Sequence, residues 1–383
     1  MPKNRSKRLA DLAQSDIRRM TRECDAVGGI NLGQGICQLP TPEAVAAGAI
    51  EAIKRGDAVY SYPEGILPLR EAIAGKLRRE NQIEADPMSE IVVTSGASGA
   101  YTAAIHALLD PGDGILMFEP YYGYHRNAAA VAGLIPQFVS LEGPGYEVTL
   151  DALRAGIQEN TRAVVVCTPA NPSGKMWSVA ELELLAQVAR ENDLIVITDE
   201  IYESITYGEA EHISPATVSD LRERSVTIMG LSKTFSITGW RLGYAVTKPE
   251  WAQAMTIVHD LFYICAPTPL QHGVTAGFSM PDSFYTDMRA QYARKREVLC
   301  EALSAAGLDP TWPQGAYYVL ADMSKLGKET ALEASMELLK RTGVASVPGS
   351  AFYRGDKGEG SARFCFALSE DLVSRAATSL RSL

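Results

Sequence analysis

Lys233 and Arg241 stand eight residues apart in the segment Gly230-Leu231-Ser232-Lys233-Thr234-Phe235-Ser236-Ile237-Thr238-Gly239-Trp240-Arg241, directly after the apolar run 226–229. An amine acts as nucleophile or proton acceptor only when neutral, which calls for a partly desolvated pocket beside another cation. Arg241 is placed to supply that cation, and its planar fork also suits a phosphate. A Ser-Lys pair by itself means little, because most lysines are solvated surface charges. Two more polar groups change its weight. Asn171-Pro172-Ser173-Gly174 follows the apolar run 163–167, and Asp199-Glu200-Ile201-Tyr202 follows 194–198. Taken singly, Asn-Pro reads as a turn and Asp-Glu at a strand end as a helix cap.

The elements that position these groups follow from the pattern around them. Short β-branched runs of this kind predict parallel strands buried on both faces. In open α/β sheets ligands bind outside the carboxyl ends of such strands, so Asn171, Asp199 and Lys233 are expected to converge on one site. The run 91–94, a small-residue turn at 95–100 and a helix expected over 101–109 offer an anion the free backbone N–H groups of a helix start. Strand and helix patterns alternate from about residue 90 to about 280, which predicts an α/β fold with a mainly parallel sheet sandwiched by helices. A long helix expected over 284–306 leads into strand-like runs at 316–319 and 363–367.

The spacing of 28 residues from Asn171 to Asp199, 3 from Asp199 to Tyr202 and 8 from Lys233 to Arg241 resembles that of the class I/II aminotransferases, pyridoxal-phosphate (PLP) enzymes of fold type I that include aspartate aminotransferase. The resemblance covers essentially the whole chain. It implies a large PLP-binding domain over 46–285, with a mainly parallel seven-stranded sheet, and a smaller α+β domain formed by 1–45 and 286–383. It also implies PLP held on Lys233 as an internal aldimine, with Asp199 against the protonated pyridine nitrogen and Asn171 and Tyr202 on the phenolic oxygen. Ala97, Ser98, Ser232 and Arg241 would take the phosphate, and the Tyr122 ring would stack on the pyridine. Tyr60 is similar to the tyrosine that reaches the phosphate of a neighbouring subunit, so a homodimer with shared active sites is implied. On the substrate side the resemblance assigns Asn171, the backbone N–H of Gly35 and a two-bond grip of Arg363 on the α-carboxylate. Lys233, Asp199 and Tyr202 would carry the catalysis, with freed Lys233 moving the proton from Cα. Two departures stand out: Gly230 replaces a Ser or Thr common in the family, and Ile36-Cys37-Gln38-Leu39-Pro40-Thr41-Pro42 replaces a Pro-Asp-Phe-like run.

The activity so implied is an amino-acid aminotransferase moving the amino group of an L-amino acid to a 2-oxo acid. A C–S β-lyase would use the same residues, and a PLP-binding regulator would need an added DNA-binding module. Thirty-six Lys and Arg against 46 Asp and Glu give a net charge of −10, which disfavours a general role on nucleic acid. No run approaches the about 18 apolar residues that span a bilayer, and no signal-peptide pattern is visible, so no membrane role is expected and the cytoplasm is the expected compartment. The basic N-terminal run of Lys3, Arg5, Lys7, Arg8, Arg18 and Arg19 is interrupted by Asp11, Asp16 and Glu23 and predicts a surface helix. Six scattered cysteines lack a Cys-x-x-Cys pair, and five histidines form no ligand motif, so reduced thiols and no metal are expected. His125 reads as a packed or surface histidine, with a place in the cofactor pocket as the alternative.

Overall fold

The computed structural model describes residues 6–9 and 16–383. Its centre is a seven-stranded sheet in the order Ile91–Ser95, Leu242–Val246, Ser225–Gly230, Ile195–Asp199, Thr161–Cys167, Gly114–Glu119, Ile135–Ser140. Only Leu242–Val246 runs antiparallel to its neighbours; the other six strands point one way. Val164, Val166, Val196, Val226 and Ile228 are almost wholly buried. That is why these strands lack the polar alternation of a half-exposed sheet. Helices cover both faces, including Gly96–Leu108 and Pro249–Tyr263 on one and Val179–Glu191 on the other.

A second, antiparallel sheet orders Val347–Pro348, Ser361–Cys365, Tyr318–Asp322 and Pro310–Thr311. Arg363 therefore lies on an inner strand, bonded on both sides, not on the edge strand where arginines usually meet solvent. Its core joins Leu303 of the helix Asp282–Ala305 and Val373 of Glu370–Leu380 to Leu32 and Cys37 of the N-terminal segment. Truncating a fully buried leucine such as Leu303 to alanine costs about 2–5 kcal/mol in such surroundings.

Three boundaries differ from the sequence reading. The helix after Ile91–Ser95 begins at Gly96, not at 101, because Gly, Ala and Ser fit a first helical turn as readily as a loop. The strand expected at 316–319 starts at Tyr318: Ala316 takes a left-handed φ of 59° and its N–H is spent on Ile205. The strand expected at 363–367 is Ser361–Cys365. At the N-terminus, Asp16–Ala26 is a helix that carries Arg18 and Arg19 outward, whereas Lys3, Arg5 and Asp11 lie outside the described residues.

Candidate active site

Every group singled out after an apolar run stands at the same edge of the large sheet. Ala97 and Ser98 follow Ile91–Ser95, Tyr122 follows Gly114–Glu119, Asn171 follows Thr161–Cys167, Asp199 ends its strand, and Lys233 follows Ser225–Gly230. Arg241 reaches that edge from the opposite direction, immediately before the one antiparallel strand. Lys233 sits in the short helix Leu231–Thr234, and its Nζ donates to the Gly35 carbonyl at 3.2 Å. Burial pushes its pKa below the ordinary lysine value. Arg241 adds to that depression, while the Cys37 and Cys365 thiols pull the other way.

The phosphate end is a helix start faced by a guanidinium. No side chain caps the helix Gly96–Leu108, so its first N–H groups keep their capacity for an anion. Arg241 Nη2 donates to Ser98 Oγ at 3.0 Å and Nη1 to the Thr238 carbonyl at 3.1 Å. Two glycines permit this approach. Gly96 has φ +75°, and a Cβ there would lie 2.5 Å from Arg241 Nη2; one at Gly243 would lie 2.5 Å from the Ala97 nitrogen. Ser232 Oγ makes only a long contact to the Leu242 carbonyl, 3.5 Å. The unusual Gly230 has a packing reason, because a Cβ would stand 2.9 Å from Ile201 Cγ2.

At the floor, Asp199 is 5% exposed and pairs with His125, Nε2 to Oδ2 2.9 Å. His125 is thus neither a surface group nor mere packing. Its ring lies between Tyr101 (centroids 4.7 Å apart) and the edge-on ring of Tyr122 (5.2 Å, 87°). Its place three residues after Tyr122, one turn along the same helix, was the signal in the sequence that could have marked it. Tyr122 also stacks on Tyr124 at 5.2 Å. Tyr202 OH donates to Tyr318 OH at 3.2 Å, a partner that its position after Asp199 did not reveal.

The opposite wall is built around Arg363, which is 1% exposed. Nη1 donates to Asn171 Oδ1 at 2.8 Å, Nη2 to the Gly33 carbonyl at 2.6 Å, and the guanidinium lies 4.2 Å from the Tyr318 ring centroid. Its Nε has no partner, and no carboxylate pairs with it among the described residues. Leaving a buried charge without its counter-ion costs about 3–5 kcal/mol, so this site calls for an anionic ligand. Gly35 presents its carbonyl to Lys233, and a methyl group there would overlap the Tyr318 hydroxyl. Tyr60 is apart from all this. It is 77% exposed, close in sequence to the equally exposed Tyr62.

Residues 27–380 match the family model for aminotransferase class I and II. An aspartate aminotransferase of Pyrococcus abyssi is 35% identical over 383 residues, covering 97% of this chain and 96% of the relative. Among solved structures, an N-succinyldiaminopimelate aminotransferase from Mycobacterium tuberculosis superposes with a TM-score of 0.95 at 31% identity, over 99% of both chains. A methionine aminotransferase, YbdL of Escherichia coli, gives 0.95 at 31% over 100% of both.

Proposed function

The chain belongs to the class I and II aminotransferases, and from that premise we propose how its own residues divide the work of a PLP-dependent transfer between an amino acid and a 2-oxo acid. The observation that carries the proposal is the buried, anion-seeking Arg363 on one side of the crevice whose other side holds the desolvated amine of Lys233.

The donor set fits the cofactor. An exposed guanidinium opposite uncapped N–H groups suits a phosphate, and a buried carboxylate braced by His125 suits a cationic ring nitrogen. We assign Ala97, Ser98, Ser232 and Arg241 to the phosphate, Asp199 to the pyridine nitrogen, Asn171 and Tyr202 to the ring oxygen, and the Tyr122 ring to the pyridine face. When bound, PLP supplies the electron sink that lets a proton leave Cα. Arg363 takes the substrate α-carboxylate with its fork, which fixes where Cα stands. Lys233 Nζ accepts the Cα proton and returns it on the cofactor side, a task its lowered pKa favours because more of the amine is neutral. The Gly35 carbonyl and the Tyr317 ring, 5.6 Å from Nζ, orient that amine and shield it from water. The relatives named above are aminotransferases, which favours amino transfer over lysis of a C–S bond.

The same reading makes the active unit a homodimer in the cytoplasm, with residues 46–285 as large and 1–45 with 286–383 as small domain. Val59, Tyr60 and Tyr62 are exposed, as are Leu261, Phe262 and Ile264, and the two segments are tied together by Thr268 Oγ1 to the Val59 carbonyl (2.6 Å) and His259 to the Pro63 carbonyl (3.2 Å). An apolar patch of this kind suits a second copy of the chain, with Tyr60 reaching the partner's phosphate site. Subunit exchange tests it. Mixed Tyr60→Ala and Asp199→Ala proteins should recover activity toward about a quarter of wild type, because each hybrid dimer carries one intact site. No recovery despite hybrids confirmed by mass assigns Tyr60 to its own subunit or to no site.

A further inference from the structure

The Gly35 carbonyl that takes the Lys233 amine accepts a second hydrogen bond, from the Tyr317 hydroxyl at 3.3 Å. The oxygen of that hydroxyl in turn accepts the thiol of Cys37, Sγ to O 3.6 Å. Groups from three distant segments thus form one chain that ends on Lys233. The segment carrying Gly35 and Cys37 is strapped on both sides of them: the Gly33 carbonyl accepts from Arg363 Nη2 at 2.6 Å, and the Gln38 N–H donates to the Ala367 carbonyl at 2.9 Å. Cys37 belongs to the run 36–42 that departs from the family pattern, and the cofactor and substrate assignments above leave it without a task.

Tyr317 is wholly buried, and its ring is set among those of Tyr318 (centroids 4.8 Å apart), Tyr202 (5.1 Å, edge-on) and Tyr292 (5.8 Å). Its carbonyl accepts the Phe366 N–H at 3.0 Å. These contacts fix the ring without help from the hydroxyl. Burial, with Cys37 adding to it, holds the Tyr317 pKa well above the ordinary tyrosine value, so the hydroxyl keeps its single proton and spends it on Gly35. A carbonyl has two acceptor positions, and hydrogen bonding to a charged amine raises that amine's pKa. With one position taken by a neutral donor, the Gly35 carbonyl has less to offer an ammonium. This adds to the forces already acting on Lys233: burial lowers its pKa first and Arg241 assists, while Cys37, Cys365 and Asp199 oppose.

We propose that Tyr317 is a positioning residue of the transfer: its hydroxyl fixes the Gly35 carbonyl and occupies one of its two acceptor positions, so that the free Lys233 amine is held in place without being held as an ammonium. The inference rests on the assignment of Lys233 above and deepens it. The ring shields the amine from water, as already described, and the hydroxyl tunes it. Cys37 acts one step further back, since its S–H takes up a lone pair of the hydroxyl oxygen and leaves the O–H turned toward Gly35.

The test compares wild type with Tyr317→Phe, which keeps the ring and removes one oxygen. In the protein stripped of cofactor, the rate at which Lys233 captures added PLP, followed by absorbance across a pH series, depends on the fraction of neutral amine. In Tyr317→Phe that rate should fall about three- to tenfold at neutral pH, as the loss of one hydrogen bond allows. It should rejoin the wild-type rate at high pH, where the amine is neutral in both proteins, because the substitution moves the Lys233 pKa up toward the ordinary lysine value. In the holoenzyme, kcat at neutral pH should fall by a similar factor with KM within about twofold, since Arg363 and Asn171 are untouched. Tyr317→Met, which also lacks the hydroxyl, gives the same readings should the phenylalanine variant fold poorly. A capture rate unchanged at neutral pH overturns the proposal. So does one lowered by the same factor at every pH, the result that a merely structural hydroxyl would give. Borohydride trapping that marks a lysine other than Lys233 in wild type overturns the assignment of Lys233 itself, and the proposal with it.

Discussion

The crevice has two cationic ends, and they are built on opposite plans. At the phosphate end Arg241 is exposed, held in a left-handed backbone (φ 57°), and its neighbours Ser98 and Thr238 come from the helix start and the helical turn that adjoin the large sheet's own strands. At the carboxylate end Arg363 is wholly buried on an inner strand of the second sheet, and its acceptors, Gly33 and Asn171, lie 330 and 192 residues away in sequence. On the assignment proposed above both take anions, but with different consequences. An exposed cation attracts weakly and must add its pull to several N–H groups, which suits a cofactor kept through many turnovers. A desolvated cation discriminates sharply between a ligand with a carboxylate and one without, which suits a substrate that must be chosen each time.

The largest expected effect lies between the two ends, at the residue both serve. Lys233→Ala should lower the half-reaction rate by at least about 10⁴-fold, since the proton-transfer group is lost, while the cofactor is still retained noncovalently by the phosphate end. Rapid-mixing absorbance, with mass spectrometry under denaturing conditions, reports both. A near-wild-type rate would remove Lys233 from the reaction.

The next pair of substitutions aims at the contrast itself. Arg363→Lys should lose about 100-fold in kcat/KM for the amino acid, because one point charge cannot reproduce a two-bond grip in a dry site, with cofactor affinity little changed. Arg241→Lys should do the reverse, weakening cofactor retention about tenfold and leaving the kcat/KM of the saturated enzyme within a few-fold. Should both variants lose the same parameter, the division of labour between the ends is wrong.

That contrast also explains what could be seen in the sequence. The phosphate end is local: a glycine turn after a strand, and a lysine with an arginine eight residues on, are patterns within short windows, and the parallel order of the large sheet follows from its apolar runs. Arg363 was identified through family resemblance, yet its burial was not legible, because an alternating run around it fits an edge strand as well as an inner one. His125 reads from the sequence as a packed or surface group, with the pocket only as the alternative, because its spacing from Tyr122 does not announce that a strand 70 residues on ends in the carboxylate it pairs with. Gly230 looked like a missing hydroxyl, and only the side chain of Ile201 beside it shows a steric reason. Contacts between distant segments decide each of these cases.

A smaller effect separates Asp199 from its support. His125→Ala should lower kcat about tenfold with KM within about threefold, because one hydrogen bond to a buried carboxylate is lost while the carboxylate stays. Asp199→Ala should cost far more in the same assay. Equal losses would make the pair a single unit in which His125 does more than position its partner.

The smallest effect tests the desolvation of Lys233 in the protein stripped of cofactor. Its folded pKa lies below the ordinary lysine value, chiefly through burial. Between the folded and the unfolded value the unfolded chain therefore binds more protons, and stability rises with pH across that window. Below the folded value both states are protonated, and the cost of burying the ammonium is present in full. Lys233→Met keeps the length of the side chain and has no proton to lose, so this contribution vanishes from the variant. The melting temperature of Lys233→Met should exceed that of wild type most at neutral pH, and the gap should close as pH climbs toward the unfolded lysine range. A gap that stays constant or widens with pH would show that the amine is solvated in the folded state. The shielding by Gly35 and Tyr317 would then have to form only when substrate arrives at the Arg363 end.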